Sequence, residues 1–197
     1  MRPVPDDMAA KLMAAAPLFV ERGLDATTMS DIAGASGVPR ATLYYHFEGK
    51  EAVFACIIEG VSHALEKAIT EALSTPGTAA ERLGRVVMAQ LSVYEADPAA
   101  FLATHLELGR TLRLEGMKER VDRGYIQPVA RLLEEGMADG TIRPVGHPAA
   151  VAAALLAAVG GAASVLLPVD GQRVLDIHDA MMLLMLHGLP AQEPVQG

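Results

Sequence analysis

Tryptophan is absent from this 197-residue sequence, cysteine occurs once, and Phe and Tyr number four each. The lone Cys56 excludes an internal disulfide framework and fits a reducing cytoplasm. Scarce aromatics argue against strands, whereas abundant Ala and Leu in a chain that is 51% apolar favour helices. Positive charge is also short, with 16 Lys and Arg against 24 Asp and Glu, a net charge of −8. That balance speaks against a generally basic nucleic-acid binder. The opening MRPVPDDM lacks the apolar core of a signal peptide, and a cytoplasmic location is expected.

Chemistry-bearing motifs are missing too. There is no phosphate loop, no dinucleotide fingerprint and no HExxH pair. His63, His105, His147, His178 and His187 show no ligand spacing. No metal, no cofactor and no enzymatic activity are therefore expected, and Cys56 reads as a small core residue beside buried positions of a helix.

What is present is a local signal at Thr27–Phe47, TTMSDIAGASGVPRATLYYHF. Thr28 can cap a helix with Asp31 three residues on, a capping box. Gly34 and Gly37 bracket a corner, and Pro39 suits the first position of the next helix, where its missing N–H costs nothing. That second helix buries Leu43 and Phe47 while presenting Arg40, Thr42, Tyr44, Tyr45 and His46. Two short helices joined by a tight turn, the second rich in donors, form the helix-turn-helix arrangement that enters a DNA major groove.

The charge split refines the objection from composition. Residues 1–50 carry five Lys/Arg and six Asp/Glu, a net −1, which leaves −7 on residues 51–197. A near-neutral head must bind through a few placed cations. Arg40 suits a base edge or a phosphate, and Thr42 a thymine methyl or a phosphate. His46 and Lys50 sit where they can neutralise phosphate. Thr28 is mainly a cap, with its helix start possible against phosphate.

At RGLDATTMSDIA, GV-x-R-x-TLYYHF and EGKEAVF the chain resembles the tetracycline-repressor (TetR) family of bacterial regulators. The resemblance is specific over roughly residues 6–60. It implies a homodimeric DNA-binding regulator with a ligand-responsive helical body, and it places both Tyr44 and Tyr45 near DNA. Where this chain has Pro39 the family often has a capping Ser or Thr that touches phosphate. That contact is lost here.

The expected fold is all-α, with about nine helices. A three-helix head over 5–65, with its helix-turn-helix at 28–47, is joined by a long fourth helix to a helical effector-binding and dimerisation body over 66–197. The expected head core is Leu12, Phe19, Leu24, Ile32, Val38, Leu43 and Phe47; Pro17 should bend the first helix, which Gly23 stops. The fourth helix, some 24 residues at about 1.5 Å each, would reach roughly 36 Å. Tyr94, Phe101 and His105 are candidates to line an effector cavity, or plain core.

One run, Pro148–Val169, has no charged residue and is long enough to span a membrane. Its nine Ala, two Gly and one Ser instead suggest a helix buried at a protein interface. Ala157, Gly160, Gly161 and Ser164 would admit a partner backbone, with Met181 and Leu184 of the last helix alongside, giving a four-helix dimer interface. The expected partners are a pseudo-palindromic double-stranded operator, a second copy, and a small, hydrophobic effector; no membrane is expected. Repressor action with effector release leads, against an all-helical small-molecule-binding protein or enzyme without a DNA role, and an effector-independent DNA-binding dimer.

Overall fold

The computed structural model describes residues 3–167 and 174–186, and among these no strand occurs. In chain order the helices are α1 (Asp6–Leu12), a 3-10 turn (Met13–Ala15), α2 (Ala16–Ala26), α3 (Met29–Ser36), α4 (Arg40–His46) and α5 (Lys50–Ser74). Then come α6 (Ala79–Ala96), α7 (Pro98–Leu106), α8 (Leu108–Thr111) and α9 (Met117–Val121). A π-helical turn (Asp122–Ile126), α10 (Gln127–Asp139), α11 (Pro148–Leu166) and α12 (Val174–Leu186) complete the described chain.

Two compact units result: residues 1–67 with 96–122, and residues 68–95 with 123–197. In the first, every expected core residue from Leu12 to Phe47 is buried. Apolar residues at helical spacing on α1, α2, α3 and α4 close over this centre, and α5 adds Val53, Phe54, Ile57 and Ile58. Phe19 meets Phe54 edge to face at 5.0 Å, a geometry that adds roughly 0.5–1.5 kcal/mol to area burial.

The same core takes in Ala100, Ala103 and Met117, so α7 and α9 pack with the helix-turn-helix; α7 lies directly on α2. Arg110 of α8 also pairs with Asp25 of α2 at 3.3 Å, but Asp25 is 86% exposed. Exposed pairs contribute about 0–1 kcal/mol, so apolar burial rather than this pair holds α7 in place.

The first helix expected up to Arg22 is interrupted by the 3-10 turn at Met13–Ala15, and Pro17 sits in the first turn of the α2 that follows, where no N–H is required. One local expectation is corrected. Pro39 occupies the cap position of α4 rather than its first residue. Gly23 breaks the helical geometry as expected, with φ 74° and ψ 166°.

In the second unit α11 packs on α10 and α12. Its inward face is Ala152, Leu155, Val159, Gly160 and Ala163. The opposite stripe is open: Ala150, Ala153, Ala154, Ala157, Ala158 and Val165 are exposed, Val165 at 66%. Gly160 is thus buried within its own subunit, a correction, whereas Ala157 lies on the open stripe and Gly161 and Ser164 on its margin. On α12, Leu184 is exposed and Met181 half-buried. By length and composition α11 is long and apolar enough to cross a membrane, a test that the core helix of a soluble protein also passes.

Candidate nucleic-acid interface

The helix-turn-helix is set by three local devices. The first is a full capping box. Thr28 Oγ1 accepts from the Asp31 N–H at 3.2 Å, and the Asp31 carboxylate accepts from the Thr28 N–H at 2.9 Å and its hydroxyl at 2.6 Å. These bonds, with Arg22 nearby, hold the Asp31 carboxyl below its usual range. The second is Gly37 at φ 67°, a left-handed cap whose N–H donates to the Ala33 carbonyl. The third is buried Ser36, which donates to the Ile32 carbonyl and accepts from the Val38 N–H.

These devices launch α4 with Leu43 buried and Arg40, Tyr44 and Tyr45 outward. Tyr44 is 50% and Tyr45 60% exposed. Arg40 stacks over the Tyr44 ring, 5.4 Å from its centroid. Tyr45 instead meets the His46 ring edge to face at 5.0 Å. Thr42 and His46 are half-buried. His46 Nδ1 is buried and finds no hydrogen-bond partner among the described residues.

The cations differ in how they are committed. Lys11 pairs with Asp7, Arg22 pairs with Asp31, and Lys50 Nζ donates to the Asp25 carbonyl at the end of α2. Among the described residues of 1–50, Arg40 is the cation with neither a carboxylate nor a carbonyl partner. Its charge is the one left uncompensated on the open face of α4.

The three effector candidates separate. Phe101 and His105 lie together in the first unit, ring centroids 5.7 Å apart, while Tyr94 is buried in the second. Tyr94 joins a polar cluster that sequence reading missed. Gln90 Nε2 donates to the Tyr94 hydroxyl at 2.9 Å and to the Leu156 carbonyl at 3.0 Å, and the Tyr125 hydroxyl donates to Gln90 Oε1 at 2.8 Å. Burial pushes the Tyr94 phenol up to about 12, against the opposing bond from Gln90, and pushes Tyr125 up as well. The available signal was a Gln four residues before a Tyr on an otherwise apolar helix face. An open groove of about 480 Å³ runs between α6 and α12, lined by Gly84, Met88, His178 and Met182 among others, and none of the three candidates lines it. No cluster of His, Cys, Asp or Glu suited to a metal occurs among the described residues.

Comparison with known proteins agrees with this geometry. Residues 12–57 match the bacterial regulatory proteins of the tetR family. The chain is 30% identical over 135 residues to the transcriptional repressor KstR2 of Mycolicibacterium smegmatis, covering 68% of this chain and 66% of that protein. It is 27% identical over 131 residues to the fatty acid metabolism regulator protein of Bacillus subtilis, covering 66% of this chain and 68% of the relative. The matched region thus spans about two thirds of these relatives. Among solved structures, the TetR-family regulator PfmR from Thermus thermophilus superposes with a TM-score of 0.78 at 27% identity, covering 92% of this chain and 99% of that one. On its helix-turn-helix, its all-helical fold and these relatives, the chain belongs to the tetR family of bacterial regulatory proteins.

Proposed function

We propose that this chain is a homodimeric transcriptional repressor that leaves a pseudo-palindromic operator when a small hydrophobic effector binds. The observation that carries the reading is the open face of α4, where an uncompensated Arg40 stands beside Tyr44 and Tyr45. Arg40, Thr42, Tyr44 and Tyr45 would face the major groove, with Thr28, His46 and the remaining donors of Lys50 toward phosphate. The head of residues 5–65 would serve DNA, and of residues 66–197 the parts outside the head's unit, 68–95 and 123–197, would serve the effector and the partner subunit.

Dimerisation uses the open stripe of α11, with Ala157, Gly161 and Ser164, beside Met181 and Leu184 of α12. It doubles a weakly charged head, so two half-sites are read at once. A hydrophobic effector is supported by the largely apolar groove between α6 and α12, with Met88 and Met182 on its walls, and by a relative named for fatty acid metabolism. The effector must bind the DNA-free state more tightly than the DNA-bound one, since equal affinity shifts nothing. No catalytic constellation is proposed, and the protein would act in the cytoplasm.

The test is selection of genomic fragments by the purified protein, repeated with fatty acids, their coenzyme A thioesters and sterols added. The expected result is a small set of palindromic fragments, lost with one of these classes. Fragments retained unchanged with every class would remove the effector from the reading, and no salt-sensitive enrichment would remove the DNA role.

A further inference from the structure

We propose that Tyr44 is a positioning residue for Arg40, so that the base preference carried by Arg40 depends on the Tyr44 ring. The inference rests on reading α4 as the DNA-facing helix and deepens it. Positions 40 and 44 are four apart, one turn up the same helix face, where side chains meet. The guanidinium carbon lies 5.4 Å from the ring centroid, and Nη2 reaches the Tyr44 hydroxyl at 3.4 Å. The hydroxyl bond is at the long end of the useful range, so the ring face is the main hold.

Arg40 needs such a hold. Pro39 offers no side-chain cap beside it, and no carboxylate pairs with Arg40 among the described residues. An unpinned Arg must lose its rotamer freedom on binding, a penalty of roughly 2- to 10-fold in affinity for each ordered long side chain. Two parallel bonds to one base also require the planar fork to arrive in one orientation. Stacking on Tyr44 fixes that plane before DNA arrives while leaving the charge unneutralised, which a carboxylate partner would not do. The adjacent Tyr45 has another task, since its ring meets His46 rather than Arg40. The two tyrosines are therefore not equivalent on the DNA-facing side of α4.

Both side chains of the pair are exposed, so substitutions leave the head core intact. The test uses full-length protein and DNA duplexes that the wild-type chain enriches from a random library. Affinity and base preference are then compared for Tyr44→Leu, Tyr44→Phe, Arg40→Ala and the Arg40→Ala/Tyr44→Leu double variant. Tyr44→Leu should lose about 5-fold in affinity and relax preference at the same base pair as Arg40→Ala. Tyr44→Phe keeps the ring and should stay within about 2-fold of wild type. The double variant should lose clearly less than the product of the two single losses, because most of the Tyr44→Leu loss acts through Arg40. Losses that multiply, or a Tyr44→Leu variant with intact preference at that base pair, would overturn the positioning role and leave DNA binding standing. A library from which nothing is enriched would overturn both.

Discussion

The Tyr125 hydroxyl donates to Gln90 Oε1 at 2.8 Å, while the Gln90 amide donates to Tyr94 and to the Leu156 carbonyl. One buried carboxamide thereby ties α6, the π-helical turn and α11. Tyr125→Phe keeps the ring but leaves that oxygen without this donor in a site closed to water. The expected cost is about 1–3 kcal/mol, the penalty of an unmet buried polar group. It is read as a lower urea midpoint with an unchanged slope. An unmoved midpoint would mean that the bond adds nothing to stability.

Alkaline stability follows from the same cluster. The Tyr94 phenol is raised from 10.0 to about 12 by burial, so folding disfavours its ionised form. Its contribution is fully present below pH 10, where both states are protonated, and is lost as pH rises toward 12 because the unfolded chain releases the proton first. Denaturation midpoints should fall over that window, and Tyr94→Phe should make the fall shallower. Equal slopes for the two proteins would contradict the assigned cause.

The capping box gives an acid-side counterpart. Thr28→Ala should cost roughly 1 kcal/mol, as loss of an N-cap does, with DNA binding weakened because α3 supports the turn into α4. Asp31 is held below its ordinary value of 3.8 chiefly by the Thr28 side chain. Its contribution is present above that pH and lost as pH falls through the lowered value. Thermal unfolding of wild type and Thr28→Ala should therefore converge toward low pH; a constant gap would show that the carboxylate plays no part.

The open stripe of α11 predicts how assembly fails. Ala158→Glu puts a charge on an exposed position of the single chain, so the subunit should fold with normal helicity. In a dimer built on that stripe the charge would be desolvated, and sedimentation equilibrium should show monomers. Retention of the wild-type mass would place the interface elsewhere. Substituting Gly160 would test something different, because it is buried inside its own subunit.

Much of this was legible from local signals. Thr28 with Asp31, Gly37 after a short helix, and the apolar spacing through Leu43 and Phe47 each act within a few residues, and they recur in the structure as expected. What was not legible depends on distant partners. Ala100, Ala103 and Met117 read as ordinary helix residues, yet they close the head core. Tyr125 reaches Gln90 from a π-helical turn that no periodicity announces. Gly160 and Gly161 are neighbours in the same small-residue run, and only helix packing decides that the first turns inward. The outward reading of Tyr44 and Tyr45 followed from the buried Leu43 and Phe47 beside them, and family resemblance added that both approach DNA.

The most direct measurement is the affinity of wild type and Arg40→Ala for one enriched duplex and for a scrambled duplex, each across a range of salt concentrations. Wild type should prefer the enriched duplex, with log affinity falling linearly against log salt as phosphate contacts require. Arg40→Ala should lose about 10-fold on the enriched duplex and little on the scrambled one. Identical binding by the two proteins, or affinity indifferent to salt, would contradict DNA recognition through α4.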